Sequence, residues 1–473
     1  MRQFFSQISK SVFVLIMILL YQAPSFAENS LPDLVNNQDE RSLSNPSYVL
    51  GQYWFRKLNG STGLIEFPPA YNYLQQALSQ IVPSTDLYNK TIDIALLNSS
   101  QTNAFVIPGN HLFIYSDILR IIQDETSFLA LLGHEIAHLE LNHYERSLEL
   151  QKNETSKTLM LLLAGVAAAS AGNGEATSAL WLGGIANQQE NLLKYSRSQE
   201  QEADRRGREL LIDSGLPVSG MNTLLTALFK QSMGANRIEF LSTHPLPKTR
   251  ISDAFTIDQP RSVVFEPSSD HFLYFRATLL AYRSVMEGDQ YRSFLNQHIS
   301  DEQQRIYAYA LSELLTQHTN KATTTLTDLD RKLTNQFIEY LRSIVAIAHN
   351  DHAKAAKIIE SRLTLAPNDL AFRYLESQSG AHFSFLKSAQ DALGYEKRMV
   401  YRNNIATARR QGNLASALYY KGQLEFARGN EHIAMNLINR AIRMTADKHE
   451  TQFLRTKEEF SSIISAERDQ NLN

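Results

Sequence analysis

The chain has no cysteine among its 473 residues. Disulfides, lipid-modified N-terminal cysteines and thiolate zinc ligands are therefore excluded, so any bound metal has to be held by histidine and carboxylate. An excess of either charge is also missing: 46 Lys+Arg stand against 49 Asp+Glu. That balance offers no basic face, and no nucleic-acid partner is expected. Apolar runs long enough to span a bilayer, about 20 residues, are lacking too. Ser11–Leu20 is too short, and Leu159–Ala186 is interrupted by Gly172-Asn173-Gly174-Glu175.

Apolar residues make up 43% of the chain, enough for a sizeable core. At about 100–200 residues per domain, two or three domains are expected. The N-terminus pairs Arg2 and Lys10 with the apolar run Ser11–Leu20 and a small-x-small site at Ser25-Phe26-Ala27. This predicts a secretory signal peptide over 1–27, cleaved after Ala27. Export of a cysteine-free chain points to the bacterial periplasm. Residues 28–47, with Pro32 and Pro46, are expected to form a polar leader.

From 48 to 262 strand and helix patterns mix. Thr91–Leu97, Asn103–Val106 and His111–Tyr115 read as strands, the last two joined by Pro108-Gly109. Asp124–Leu150 has apolar residues at spacings of three and four and predicts one helix. Leu159–Ala186 is expected to form a helical hairpin, a lid over the site or a peripheral membrane contact. From 263 to 473 helix formers dominate. Turn signals at Gly288-Asp289, Thr319-Asn320, Asn350-Asp351, Gly380 and Gly412-Asn413 recur about every 31 residues, close to the 34 of tetratricopeptide repeats. Ala415–Ala446 and Ala353–Pro367 fit that repeat best. The expected class is α+β and mostly helical, a small sheet being followed by a helical-repeat domain.

His134-Glu135-Ile136-Ala137-His138 carries the chemistry. Histidines four apart on a helix share one face and can meet one ion, with Glu135 beside them as general base. A catalytic zinc takes a third protein ligand. His143 lies nine residues after His134, about 180° round an unbroken helix, and is expected on the surface. Glu200 is the better ligand, and Asp204, one turn on, is placed to accept the outer N–H of a ligand histidine.

Four segments in order resemble the M48 family of zinc metallopeptidases: Asn103–Gly109 (NAFxxPG), the HExxH at His134–His138, Ser196–Asp204 (SRxxExxAD) and Thr243–Arg250 (THPxxxxR). The resemblance covers about residues 48–255 and implies a zincin-like domain with one Zn²⁺ per subunit on His134, His138 and Glu200. It further implies catalytic roles for Glu135, His244 and Arg250, the latter two at the oxyanion, and leaves His244 a second role as a zinc ligand that keeps the enzyme latent. Asn103, Ala104, Phe105 and Val106 would pair with an extended substrate. The repeat tail narrows the resemblance to the periplasmic subgroup that assists beta-barrel assembly. The implied function is degradation of misfolded or misassembled outer-membrane proteins and help in their assembly, with the assembly machinery docked on the repeat domain. The alternative is a chaperone or assembly factor whose protease is dormant.

Overall fold

The computed structural model describes residues 42–61, 63–150, 196–233, 240–241, 244–245, 250, 267–380, 384–386, 394–445, 450–470 and 472. The expected signal peptide, most of the leader and the Leu159–Ala186 hairpin lie outside the described residues.

The first described helix, α1 (Pro46–Asn59), begins two residues inside the expected leader. Asn45 caps it, its Oδ1 accepting from the Ser47 amide at 3.0 Å. Helix α2 (Pro68–Ile81) opens on Pro68-Pro69, which suit a first turn because its amides need no partner. Three strands follow: β1 (Asp93–Leu97), β2 (Ala104–Ile107) and β3 (His111–Tyr115). β1 runs parallel to β3 and β2 antiparallel to it, in the order β1-β3-β2, so β2 lies at an edge. The β2–β3 turn needs two successive positive φ values, and Gly109 (84°) and Asn110 (62°) supply them.

The sheet is buried on both faces, which is why its strands read as continuous apolar runs. Ile94, Leu96, Val106, Leu112 and Ile114 face the main core. Ala95, Leu97, Phe105, Phe113 and Tyr115 face Val49, Trp54, Phe55 and Leu58 of α1. On the main-core side lie α3 (Glu125–Glu140), α5 (Arg197–Asp213) and α6 (Ser219–Ser232), whereas α4 (His143–Leu150) sends Tyr144 into the cluster on the α1 side. The single helix expected over Asp124–Leu150 is thus two. Asn142 turns left-handed (φ 50°) and redirects the chain after α3.

From residue 270 the described chain is helical, as expected. α7 (Asp270–Ser284) sends Phe272 and Phe275 into an aromatic cluster with Tyr73 and Phe128, so one core continues across position 262. Turns fall at Gly288, Asn350, Gly380, Gly412 and Gly429, all with positive φ. At the second expected position, Thr319-Asn320, the turn falls at Gln317 (φ 65°) instead, and Thr319–Thr325 is itself helical. In the pair α8 (Leu414–Ala427) and α9 (Glu431–Met444), a Cβ at Gly422 would meet Ile438 Cδ1 at 2.8 Å, so the glycine sets the close crossing. The chain then folds back on α1: Lys57 Nζ reaches Glu431 at 2.8 Å, and Arg56 pairs with the buried Glu467. Glu40–Asn473 form one compact unit. Among the described residues no helix is long and apolar enough to cross a membrane.

Candidate metal centre

α3 and α5 meet at glycine. A Cβ on Gly207 would lie 3.1 Å from the His134 amide nitrogen and 3.2 Å from the Gly133 carbonyl carbon. This contact presses the two helix backbones together. Glu200, Asp204 and Gly207 lie at spacings of four and three on α5, one face, so the same contact sets both carboxylates against His134 and His138. A capping box starts α5: Ser196 Oγ accepts from the Gln199 amide at 3.2 Å, and Gln199 Oε1 accepts from the Ser196 amide at 2.8 Å.

His134, His138, Glu200 and His244 converge, all buried, with one donor atom from each within 4.8 Å of the others. His134 Nε2 lies 3.1 Å from His138 Nε2 and 3.4 Å from His244 Nδ1. Glu200 Oε1 lies 3.0 Å from His244 Nδ1 and 3.4 Å from His138 Nε2. A tetrahedral zinc with bonds of about 2.0–2.1 Å sets its donors about 3.3–3.4 Å apart, so the group fits the ion. Charge fits as well. With neutral imidazoles, the buried Glu135, Glu200 and Asp204 face one buried guanidinium, Arg250, leaving two negative charges for a divalent cation.

Glu135 is fully buried, and neither carboxylate oxygen has a hydrogen-bond partner among the described residues. His244 Nε2 is 3.7 Å from Glu135 Oε1. Burial raises the Glu135 pKa above the usual carboxylate range, against the pull of His244 and His134. A buried carboxylate with no hydrogen bond among the described residues, beside a donor cluster, is suited to act as a general base.

Burial would also raise Glu200, but His244 and Arg250 outweigh it and hold that carboxyl well below its ordinary value. Asp204 is held low in the same way, mainly by Arg250. Asp204 Oδ1 lies 3.1 Å from His134 Nδ1, the outer-nitrogen position expected of it. His244 is anchored by the ring of Phe240, stacked with centroids 4.4 Å apart, and by its amide on the Phe240 carbonyl. The Phe240 amide in turn donates to the Thr102 carbonyl at 2.9 Å, just before β2, so the His244 loop is tied to the edge strand.

Arg250 differs from expectation. Its Nε and Nη2 donate to Asp204 at 2.6 and 2.8 Å, and its Nη1 meets Glu200 Oε2 at 2.5 Å and the Pro245 carbonyl at 2.9 Å. A guanidinium so engaged holds two carboxylates in place. His143 also departs from expectation. It is buried, its Nδ1 2.8 Å from His138 Nδ1 and its Nε2 3.2 Å from Glu202 Oε2. His143 would face away from His134 only on an unbroken helix, and the left-handed Asn142 breaks it. Burial pushes the His143 imidazole down to about 4. Of the expected substrate strand, Asn103, Ala104, Phe105 and Val106 all lie at the sheet edge and are buried in this state, and Asn103 Oδ1 has no hydrogen-bond partner among the described residues.

A small sheet with a flanking HExxH helix and a glutamate from a second helix defines a metallopeptidase domain. Residues 69–257 match the model of the family described as Peptidase family M48, and this stretch is an M48 peptidase domain. M48 peptidases use zinc, the ion that the donor group fits. The chain is similar to the "Beta-barrel assembly-enhancing protease" of Escherichia coli (strain K12), 30% identical over 266 residues, 55% of this chain and 54% of that protein. The protein of the same name from Yersinia pestis is 28% identical over 229 residues, 48% of this chain and 47% of that protein. "Mitochondrial metalloendopeptidase OMA1" of Schizosaccharomyces pombe is 25% identical over 215 residues, 45% of this chain and 59% of that protein. The chain spans about half the length of the curated relatives it matches.

Proposed function

We propose that the chain is a periplasmic zinc endopeptidase that degrades misfolded or misassembled outer-membrane proteins and assists their assembly. The observation that carries this reading is the convergence of His134, His138, Glu200 and His244 beside the buried carboxylate of Glu135. The names of the bacterial relatives support the outer-membrane setting.

In this reading His134, His138 and Glu200 hold the zinc ion. When bound, the ion supplies Lewis acidity and lowers the pKa of water from 15.7 to about 7. Glu135 takes the proton of the attacking water and later gives it to the leaving amine nitrogen. Asp204 fixes the His134 tautomer, and Arg250 holds Asp204 and Glu200 against each other. An extended substrate adds to the edge strand at Asn103–Val106, its backbone read without regard to sequence.

His244 is the fourth donor of the cluster, so it closes the position that water needs. This favours a second reading: an assembly factor whose protease is dormant until the loop held by Phe240 shifts. Signal peptide 1–27, leader 28–47, protease domain 48–262 and helical-repeat domain 263–473 complete the proposal. The repeat domain is assigned to the outer-membrane protein assembly machinery, and Leu159–Ala186 to a lid or peripheral membrane contact. Substituting Glu135→Gln tests the choice. Degradation of an unfolded outer-membrane protein should stop while zinc stays bound; unchanged degradation would overturn the protease reading. Normal assembly of client proteins by the same variant would favour the assembly-factor reading.

A further inference from the structure

We propose that His143 is a positioning residue that sets the tautomer of the zinc ligand His138, through a relay anchored on Glu202 and Arg146. The inference rests on the metal-centre reading above and extends it to residues outside the ligand set.

His138 turns Nε2 toward the donor cluster, 3.1 Å from His134 Nε2 and 3.4 Å from Glu200 Oε1. A nitrogen that binds a metal presents a lone pair, so the ring proton belongs on Nδ1. His138 Nδ1 is 2.8 Å from His143 Nδ1, and two ring nitrogens at that distance share one proton. The far side of His143 settles whose it is. His143 Nε2 is 3.2 Å from Glu202 Oε2, an acceptor, and Arg146 Nη1 donates to that same oxygen at 2.9 Å. His143 therefore carries its proton on Nε2 and accepts at Nδ1, so His138 donates from Nδ1 and presents Nε2 to the ion.

The local fold makes this possible. The left-handed Asn142 brings His143 back beside the ring of His138, with centroids 4.9 Å apart. Gln199 Nε2 donates to the His143 carbonyl at 2.9 Å, tying this corner to the start of the helix that carries Glu200. The two ligand histidines are thus oriented differently: His134 by the carboxylate of Asp204, and His138 by a neutral imidazole with its carboxylate one step further out.

The test is zinc affinity of the full chain, by competition with a chromophoric chelator, with circular dichroism as the check of fold. Asparagine puts an oxygen at the Nδ1 position, whereas glutamine puts its polar atoms at Nε2. H143N should stay within about threefold of the unsubstituted chain, while H143Q and H143L lose about 10–100-fold, the usual effect of removing such an outer partner. If H143L does not fold, the Asn and Gln variants still decide. Equal affinity in those two overturns the relay. Failure of the unsubstituted chain to bind zinc overturns the metal-centre reading itself.

Discussion

Arg250 separates two accounts of the site. The family resemblance gives it the substrate oxyanion; the structure gives it Asp204, Glu200 and the Pro245 carbonyl. Replacing it with Met keeps much of the side-chain length and removes the charge. Three buried carboxylates would then face one another with no guanidinium between them. Breaking a buried ion pair from one side costs about 3–5 kcal/mol. At about 2–4 °C per kcal/mol for a domain of 150–250 residues, the metal-free melting temperature should fall by roughly 6–20 °C. Zinc takes over the charge of Glu200, so added zinc should raise the melting temperature of R250M more than that of the unsubstituted chain. The assay is a pair of thermal melts, in chelator and in excess zinc, followed by a peptidase assay on the zinc-loaded forms. A metal-free loss below about 1 kcal/mol would refute the argument, since an exposed pair is worth no more. A loss of activity without loss of stability would return Arg250 to the oxyanion.

Glu135→Gln removes the base and should lower kcat on an unfolded substrate by about 10²–10⁴-fold with zinc content unchanged, checked by metal analysis beside the rate. His244→Ala opens the fourth donor position, so activity should rise while zinc affinity falls; a fall in both would make His244 an ordinary ligand. Gly207→Val pushes a branched side chain against the backbone of α3, already 3.1 Å away for a Cβ alone, and should cost about 1–3 kcal/mol and weaken zinc binding with it, read by urea melts and chelator competition. Stripping zinc should remove about 2.7 kcal/mol of stability if zinc had been at about 100 times its Kd, and restoring zinc should return it.

Most of the candidate metal centre was readable because its spacing is helical at both ends. His134 and His138, and then Glu200 and Asp204, are each four apart, and both helices form with the expected faces. Pro108-Gly109 and the helical tail were readable for similar reasons: turn chemistry and composition are local. What the sequence concealed depends on packing between distant segments. That Gly133 and Gly207 touch, and so set the approach of the two ligand helices, has no local signature. His143 was placed wrongly because one residue, Asn142, leaves the helix. Asn tolerates a left-handed turn, and Leu141-Asn142 after an apolar helix was the available signal. The contacts of Arg250 have no local signature either, because Asp204 and Glu200 lie more than forty residues earlier.

X-ray absorption at the zinc edge on the purified chain reads the metal and its donors together. One zinc per chain in a shell of nitrogen and oxygen at about 2.0–2.2 Å, changed by His138→Ala, is the predicted result. No bound zinc, or a shell that His138→Ala leaves untouched, would contradict it.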